Sequence, residues 1–150
     1  MKVSDILRVK GNTLYTLTPD HTLWCAVQTM AEHDIGSVVV MDQGRLVGIL
    51  TFREVINTLH TNGGQVGAGT VGSAMDHGPQ TVAPGTDVNE VRRLMLERHV
   101  RYLPVLDGQT LAGVISFYDV AKAVLEEQGL ENQMLKAYIQ DWPQQESVSG

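Results

Sequence analysis

The chain has 150 residues, 43% of them hydrophobic, a formal net charge of −6 and one cysteine, Cys25. That length suits one ordinary domain or two small subdomains sharing a core, and scattered Lys and Arg under a net negative charge argue against a nucleic-acid binder, which gathers its basic residues on one face. The apolar runs are too short to cross a bilayer, the opening "MKVSDILRVKG" has no apolar signal core and a lone cysteine forms no internal disulfide, so a cytoplasmic chain with neither nucleic acid nor membrane as partner is expected.

In chain order, "VSDIL" (3–7) opens the sequence and "TLYTLTP" reads as an extended lead-in. Leu23, Ala26, Val27, Met30 and Ala31 then recur at helical spacing. Gly36 interrupts, and "SVVVM" follows as a β-rich apolar run. "DQG" is a turn before the second apolar run "LVGIL", so a hairpin is expected. "TFREVINTLH" is helical again. The segment "TNGGQVGAGTVG" (61–72) has a G-x-x-G-x-G spacing, but it follows a helix and lacks a Walker lysine; a flexible linker is the better reading. Beyond it "VGSAM" (71–75), "PQTVAP", the periodic Val88, Val91, Leu94 and Met95, and "GVISFYDV" repeat the first series. The tail shows helical periodicity at Leu130, Met134, Ala137 and Tyr138 until Pro143 stops it, and a polar, disordered end is expected after that.

Sliding the chain over itself by 65 residues aligns Thr16 to Leu59 with Thr81 to Val124 without a gap. Pro19/Pro84, Met30/Met95, Val40/Val105, Asp42/Asp107, Gly48/Gly113, Phe52/Phe117 and Val55/Val120 are among the identical pairs. An internal repeat decides the architecture before any single element does. The expected fold is α/β (α+β): two βαββα copies packed as pseudo-twofold halves, because a three-stranded sheet cannot bury both faces alone. The expected organisation is repeat 1 at 1–62, linker at 63–70, repeat 2 at 71–128, a C-terminal helix at 129–142 and a disordered tail at 143–150.

The octamers "GILTFREV" (48–55) and "GVISFYDV" (113–120) hold the chemistry. In the simplest view Thr51 with Glu54, and Ser116 with Asp119, are capping boxes that satisfy free backbone N–H groups at a helix start. The same geometry can seat a ribose phosphate. A helix N-terminus attracts the phosphate, the hydroxyl adds a donor, and the carboxylate accepts from two neighbouring hydroxyls. Gly48 and Gly113 suit positions where the two halves approach closely.

The repeated "TLTP"/"TVAP", "IGSVVVMD"/"VRYLPVLD" and "GILTFREV"/"GVISFYDV", in order and twice, make residues 1–127 resemble a tandem pair of CBS domains, the module named after cystathionine β-synthase. The tail containing "LKAYI" resembles the stand-alone bacterial type. The resemblance implies a disc-like pair whose clefts hold an adenosine ligand: AMP first, with ADP, ATP, NAD or S-adenosylmethionine as other choices. It implies that Asp119 and Glu54 hold ribose and that Ser116 and Thr51 hold phosphate. For the Asp119 cleft it places the base against Asn12, Thr13, Ile35, Gly36 and Ser37, and for the Glu54 cleft against Gln80, Val100 and Tyr102. Arg101 stands where the family often has a phosphate-binding basic residue; its repeat partner is Gly36. Glu54 departs from the usual Asp, which moves its carboxylate by one bond.

The implied role is a non-catalytic adenine-nucleotide sensor acting on an unidentified regulated protein or on its own assembly, a homodimer. A ligand-free dimerisation scaffold is the alternative. An enzyme is disfavoured because no nucleophile, general base or metal cluster accompanies the clefts. The five histidines, His21, His33, His60, His77 and His99, lie far apart and suit surface or cap roles. Cys25 suits a small core or interface position, and Tyr138 and Trp142 suit interface anchors.

Overall fold

The computed structural model describes residues 1–11 and 13–140. Asn12, Trp142 and the tail expected at 143–150 lie outside them, as do the side chains of Leu130 and Tyr138. Repeat 1 contains α1 (Val3–Lys10), β1 (Thr16–Leu17), α2 (Leu23–His33), β2 (Ser37–Asp42), β3 (Arg45–Thr51) and α3 (Phe52–Thr61). Repeat 2 contains α4 (Val71–Ala74), α5 (Val88–Arg98), β4 (Tyr102–Asp107), β5 (Thr110–Ser116) and α6 (Phe117–Gln140).

Each half is built around one antiparallel hairpin. Ser37 pairs with Thr51 and Asp42 with Arg45, while Tyr102 pairs with Ser116 and Asp107 with Thr110. The registers shift at equivalent places, between Val40 and Met41 and between Val105 and Leu106. In repeat 1 the lead-in joins the sheet, Thr16 pairing parallel with Val39. In repeat 2 the lead-in makes one parallel bridge, Val82 with Val105. The "DQG" turn is tight because Gln43 and Gly44 both adopt positive φ, at 52° and 76°, the pattern that matches the twist of the flanking strands. Val38, Val39 and Val40 are fully buried, which explains why this run is not alternating.

The helices start and stop on local signals. Thr22 caps α2 by accepting from the Cys25 N–H, and Asp87 caps α5 by accepting from the Asn89 N–H. Both helices end on a non-glycine residue in the left-handed region, Asp34 and His99, which are repeat partners.

The leading helices are exchanged between the halves. Val3 and Ile6 of α1 pack in one core with Val88, Val91, Leu103, Ile115 and Val120 of repeat 2. Val71 and Met75 pack with Leu23, Ala26, Val38 and Leu50 of repeat 1. The backbone repeats the exchange. Ser4 N–H donates to Pro84 O at 2.9 Å, and Gly72 N–H donates to Pro19 O at 2.9 Å. The end of the connecting segment is held too, with Gly69 O accepting from Leu23 N–H at 2.9 Å.

The glycines of the octamers permit this docking. A Cβ on Gly48 would lie 2.6 Å from the Met75 sulfur and 2.7 Å from Asp76 O, and one on Gly113 would lie 2.8 Å from Leu7 Cδ2. The sequence suggests a separate helix from residue 129, but α6 runs unbroken from Phe117 to Gln140. Gly129 lies within it with open space around its Cα. Glycine in a helix interior costs about 1 kcal/mol relative to alanine, too little to stop a helix of this length.

Candidate functional site

A cavity of about 1200 Å³ opens between the halves. Repeat 1 supplies Thr13, Leu14 and Tyr15 from its lead-in and His33 to Ser37 from the end of α2. Repeat 2 supplies His99 to Tyr102 between α5 and β4, and Val114, Ser116, Phe117 and Tyr118 where β5 becomes α6. Lys10 at the end of α1 and Arg53 in the first turn of α3 complete the wall.

Of the residues expected to bind a ligand, Thr13, Ile35, Gly36, Ser37, Val100, Arg101, Tyr102 and Ser116 all line this cavity. Val100 and Tyr102 were expected beside Glu54, but they meet repeat 1 here instead. Tyr102 fills the space above Gly36, whose Cβ would lie 2.6 Å from Tyr102 Cζ. Glu54 lines a separate, smaller cavity of about 330 Å³ with Asn57, Thr58 and Thr61. Thr51, Gln80 and Asp119 line neither of these two cavities, Asp119 standing behind Ser116 and Lys10 of the larger one.

The two octamer carboxylates have different surroundings. Glu54 Oε1 accepts from both the N–H and the hydroxyl of Thr51 at 2.9 Å, while the same hydroxyl accepts from Arg53 N–H. Glu54 therefore works within its own helix cap. Asp119 closes the matching box: its Oδ2 accepts from Ser116 N–H at 2.9 Å, and its N–H donates to Ser116 Oγ at 3.1 Å. It also has a partner from the other end of the chain. Lys10 Nζ donates to Asp119 Oδ2 and to Val114 O, both at 2.8 Å. Burial pushes the Asp119 carboxyl up. The bonds from Lys10 and Ser116 more than offset this, and hold it below its ordinary value.

The wall is also asymmetric in its aromatic groups. Tyr15 and His33 stack with ring centroids 3.9 Å apart and planes 19° from parallel. Their repeat partners are Gln80 and Arg98, so repeat 2 has no such stack. Arg101 is exposed at the rim, and Arg53 on the facing side donates to His99 O at 3.4 Å. Among the described residues no three His, Cys, Asp or Glu side chains are grouped to hold a metal ion. No described helix is long and apolar enough to cross a membrane.

Sequence reasoning missed Lys10, Tyr15, His33 and Arg53. Tyr15 and His33 were within reach, since they flank the expected base contacts. Lys10 was not, because its partner lies 109 positions away and the exchange of α1 is a tertiary event.

The CBS domain family model matches residues 3–61 and 71–126. The chain belongs to the CBS domain family. It is 33% identical over 147 residues to the CBS domain-containing protein CBSX3, mitochondrial, of Arabidopsis thaliana, covering 92% of this chain and 71% of that one. The CBS-domain containing protein ATU1752 from Agrobacterium tumefaciens matches with a TM-score of 0.78 and 31% identity, over 82% of this chain and 98% of that chain. The crystal structure of CBSX2 in complex with AMP matches with a TM-score of 0.70 and 25% identity, over 85% of this chain and 98% of that chain. The tandem CBS architecture expected from the repeat is the observed one, and it has the helical C-terminal extension.

Proposed function

We propose that this CBS pair is a non-catalytic sensor that binds an adenine nucleotide, AMP first, in the large cavity. The observation that carries this reading is the Asp119 carboxylate. It stands ionised and half-buried behind Ser116 at the start of α6, beside a cavity walled by both repeats. A carboxylate there suits ribose hydroxyls, and the Ser116 hydroxyl and the α6 N-terminus suit phosphate. Ile35, Val100 and Tyr102 offer an apolar wall to a purine, and Arg53 and Arg101 offer cations to the phosphate. The AMP complex of CBSX2 supports the choice by likeness of fold.

NAD, ADP and ATP share the adenosine monophosphate unit and are the next choices. S-adenosylmethionine has a sulfonium and no phosphate, so the two rim arginines disfavour it. The Glu54 cavity is the weaker site, because its carboxylate is engaged with Thr51 and its space is about 330 Å³. We place the working unit as a homodimer that passes ligand occupancy to its own assembly or to a regulated protein. Leu125, Met134 and Leu135 on α6 are each more than half exposed, which suits burial against a second copy.

A thermal-shift screen tests the reading. A ligand that binds only the native state raises its melting temperature with concentration. AMP is expected to do so, and S-adenosylmethionine is not. No shift with any adenosine compound would favour the ligand-free scaffold, in which both octamers serve only as helix caps.

A further inference from the structure

Lys10 reaches the cavity through the exchange of α1 onto repeat 2. Its Nζ is held by two acceptors at 2.8 Å, Val114 O and Asp119 Oδ2. An ammonium has three N–H donors, so one remains for a ligand. Asp119 Oδ2 takes both Lys10 and the Ser116 N–H. Among the described residues, Oδ1 receives no hydrogen bond. The pair therefore joins a donor on Lys10, which lines the cavity, to a free acceptor on Asp119, which stands directly behind Lys10 and Ser116 of that lining.

We infer that Lys10 is a specificity-determining residue of this site: with Asp119 it reads the cis-diol of a ribonucleotide as one donated and one accepted hydrogen bond. This rests on the nucleotide reading of the cavity. A bare carboxylate accepts from both hydroxyls and tolerates the loss of one, because its remaining lone pair can turn to water. An ion pair fixed at both ends cannot turn. Loss of either hydroxyl leaves one member of the pair without its ligand partner, and such a mismatch is what makes polar sites selective. The costlier loss is at the Asp119 carboxylate, which is 18% exposed against 38% for Lys10. The second cleft has no equivalent. Leu7 and Met75 take matching places against Gly113 and Gly48, and by that correspondence Gly78 stands where Lys10 does.

Calorimetry of the full chain with AMP, 2′-deoxy-AMP and 3′-deoxy-AMP tests this, with Lys10→Met and Lys10→Arg as variants. Wild type is expected to bind AMP about tenfold or more tightly than either deoxy compound. Lys10→Met is expected to weaken AMP about tenfold while bringing the three ligands within about threefold of one another. Lys10→Arg, which restores charge and donors, is expected to recover the ribose preference. A wild-type ratio below about threefold would overturn the assignment even if Lys10→Met failed to fold. Equal weakening of all three ligands by Lys10→Met would also overturn it, since that marks a phosphate contact or a structural strut. A wild-type chain that binds none of them overturns the cavity reading itself, and this inference with it.

Discussion

Tyr102 occupies the space that a side chain at Gly36 would need. A Cβ there would lie 2.6 Å from Tyr102 Cζ and 3.1 Å from Phe52 Cε2, and closer still to the Tyr102 hydroxyl. Gly36 comes just before β2 in repeat 1 and Tyr102 opens β4 in repeat 2, so the contact closes the floor of the cavity between the halves. Gly36→Ala is expected to displace the ring and to destabilise the fold by about 1–3 kcal/mol, the usual cost of overpacking. With Tyr102→Ala in the same chain the loss should fall short of the sum of the two single changes by more than about 0.5 kcal/mol. Urea unfolding of the four proteins measures this, and additive effects would contradict the contact.

The Lys10–Asp119 pair predicts a pH dependence of stability. The Asp119 carboxyl is held below its ordinary 3.8 in the folded chain, so its ionised form favours folding. That contribution is present in full above the ordinary value. It is lost as pH falls through 3.8 and on through the lowered folded value. The stability difference between wild type and Asp119→Asn should be constant from about pH 7 to 5 and shrink below about pH 4. Urea midpoints across that range check it. A difference that grew as pH fell would contradict the sign.

Much of this was legible in the sequence because the repeat wrote it twice. The hairpins, the capping boxes at Thr51 and Ser116, and Gly48 and Gly113 as close-approach positions all follow from short-range chemistry that reappears 65 residues later. Two things were not legible. Local signals give helices at 3–10 and 71–74 but not the half against which each packs, so neither the exchange nor the Lys10–Asp119 bond could be read. The division into two like clefts also misled. The pairs Gly36/Arg101 and Ser37/Tyr102 differ in size, and Tyr102 fills the space at Gly36 while Arg101 stays exposed, so that Val100, Arg101 and Tyr102 all line the Ser116 cavity.

Arg101 is expected to read phosphate and not base. Its guanidinium is always charged and can fork onto two phosphate oxygens. Arg101→Ala should weaken AMP by about 1.5–3 kcal/mol and leave adenosine unchanged, and the loss should shrink as salt rises because the residue is exposed. Titration calorimetry at two salt concentrations checks this. Equal losses for AMP and adenosine would give Arg101 a structural role.

The intact chain is expected to be a homodimer at micromolar concentration. Truncation after Gln128 removes the exposed Met134 and Leu135 and should weaken that dimer. Light scattering on both chains checks it. A stable monomer for the intact chain would contradict the assembly.

The most direct test of the central claim is calorimetric titration of AMP into wild type, Asp119→Asn and Glu54→Gln. Asp119→Asn keeps the shape of the site and loses a charged acceptor. It is expected to cost about 1.5–3 kcal/mol, or roughly ten- to a hundredfold in affinity. Glu54→Gln should cost less, since that carboxylate is already engaged with Thr51. Equal AMP affinity for wild type and Asp119→Asn, with a change only in thermal stability, would contradict the account and leave Asp119 as a helix cap.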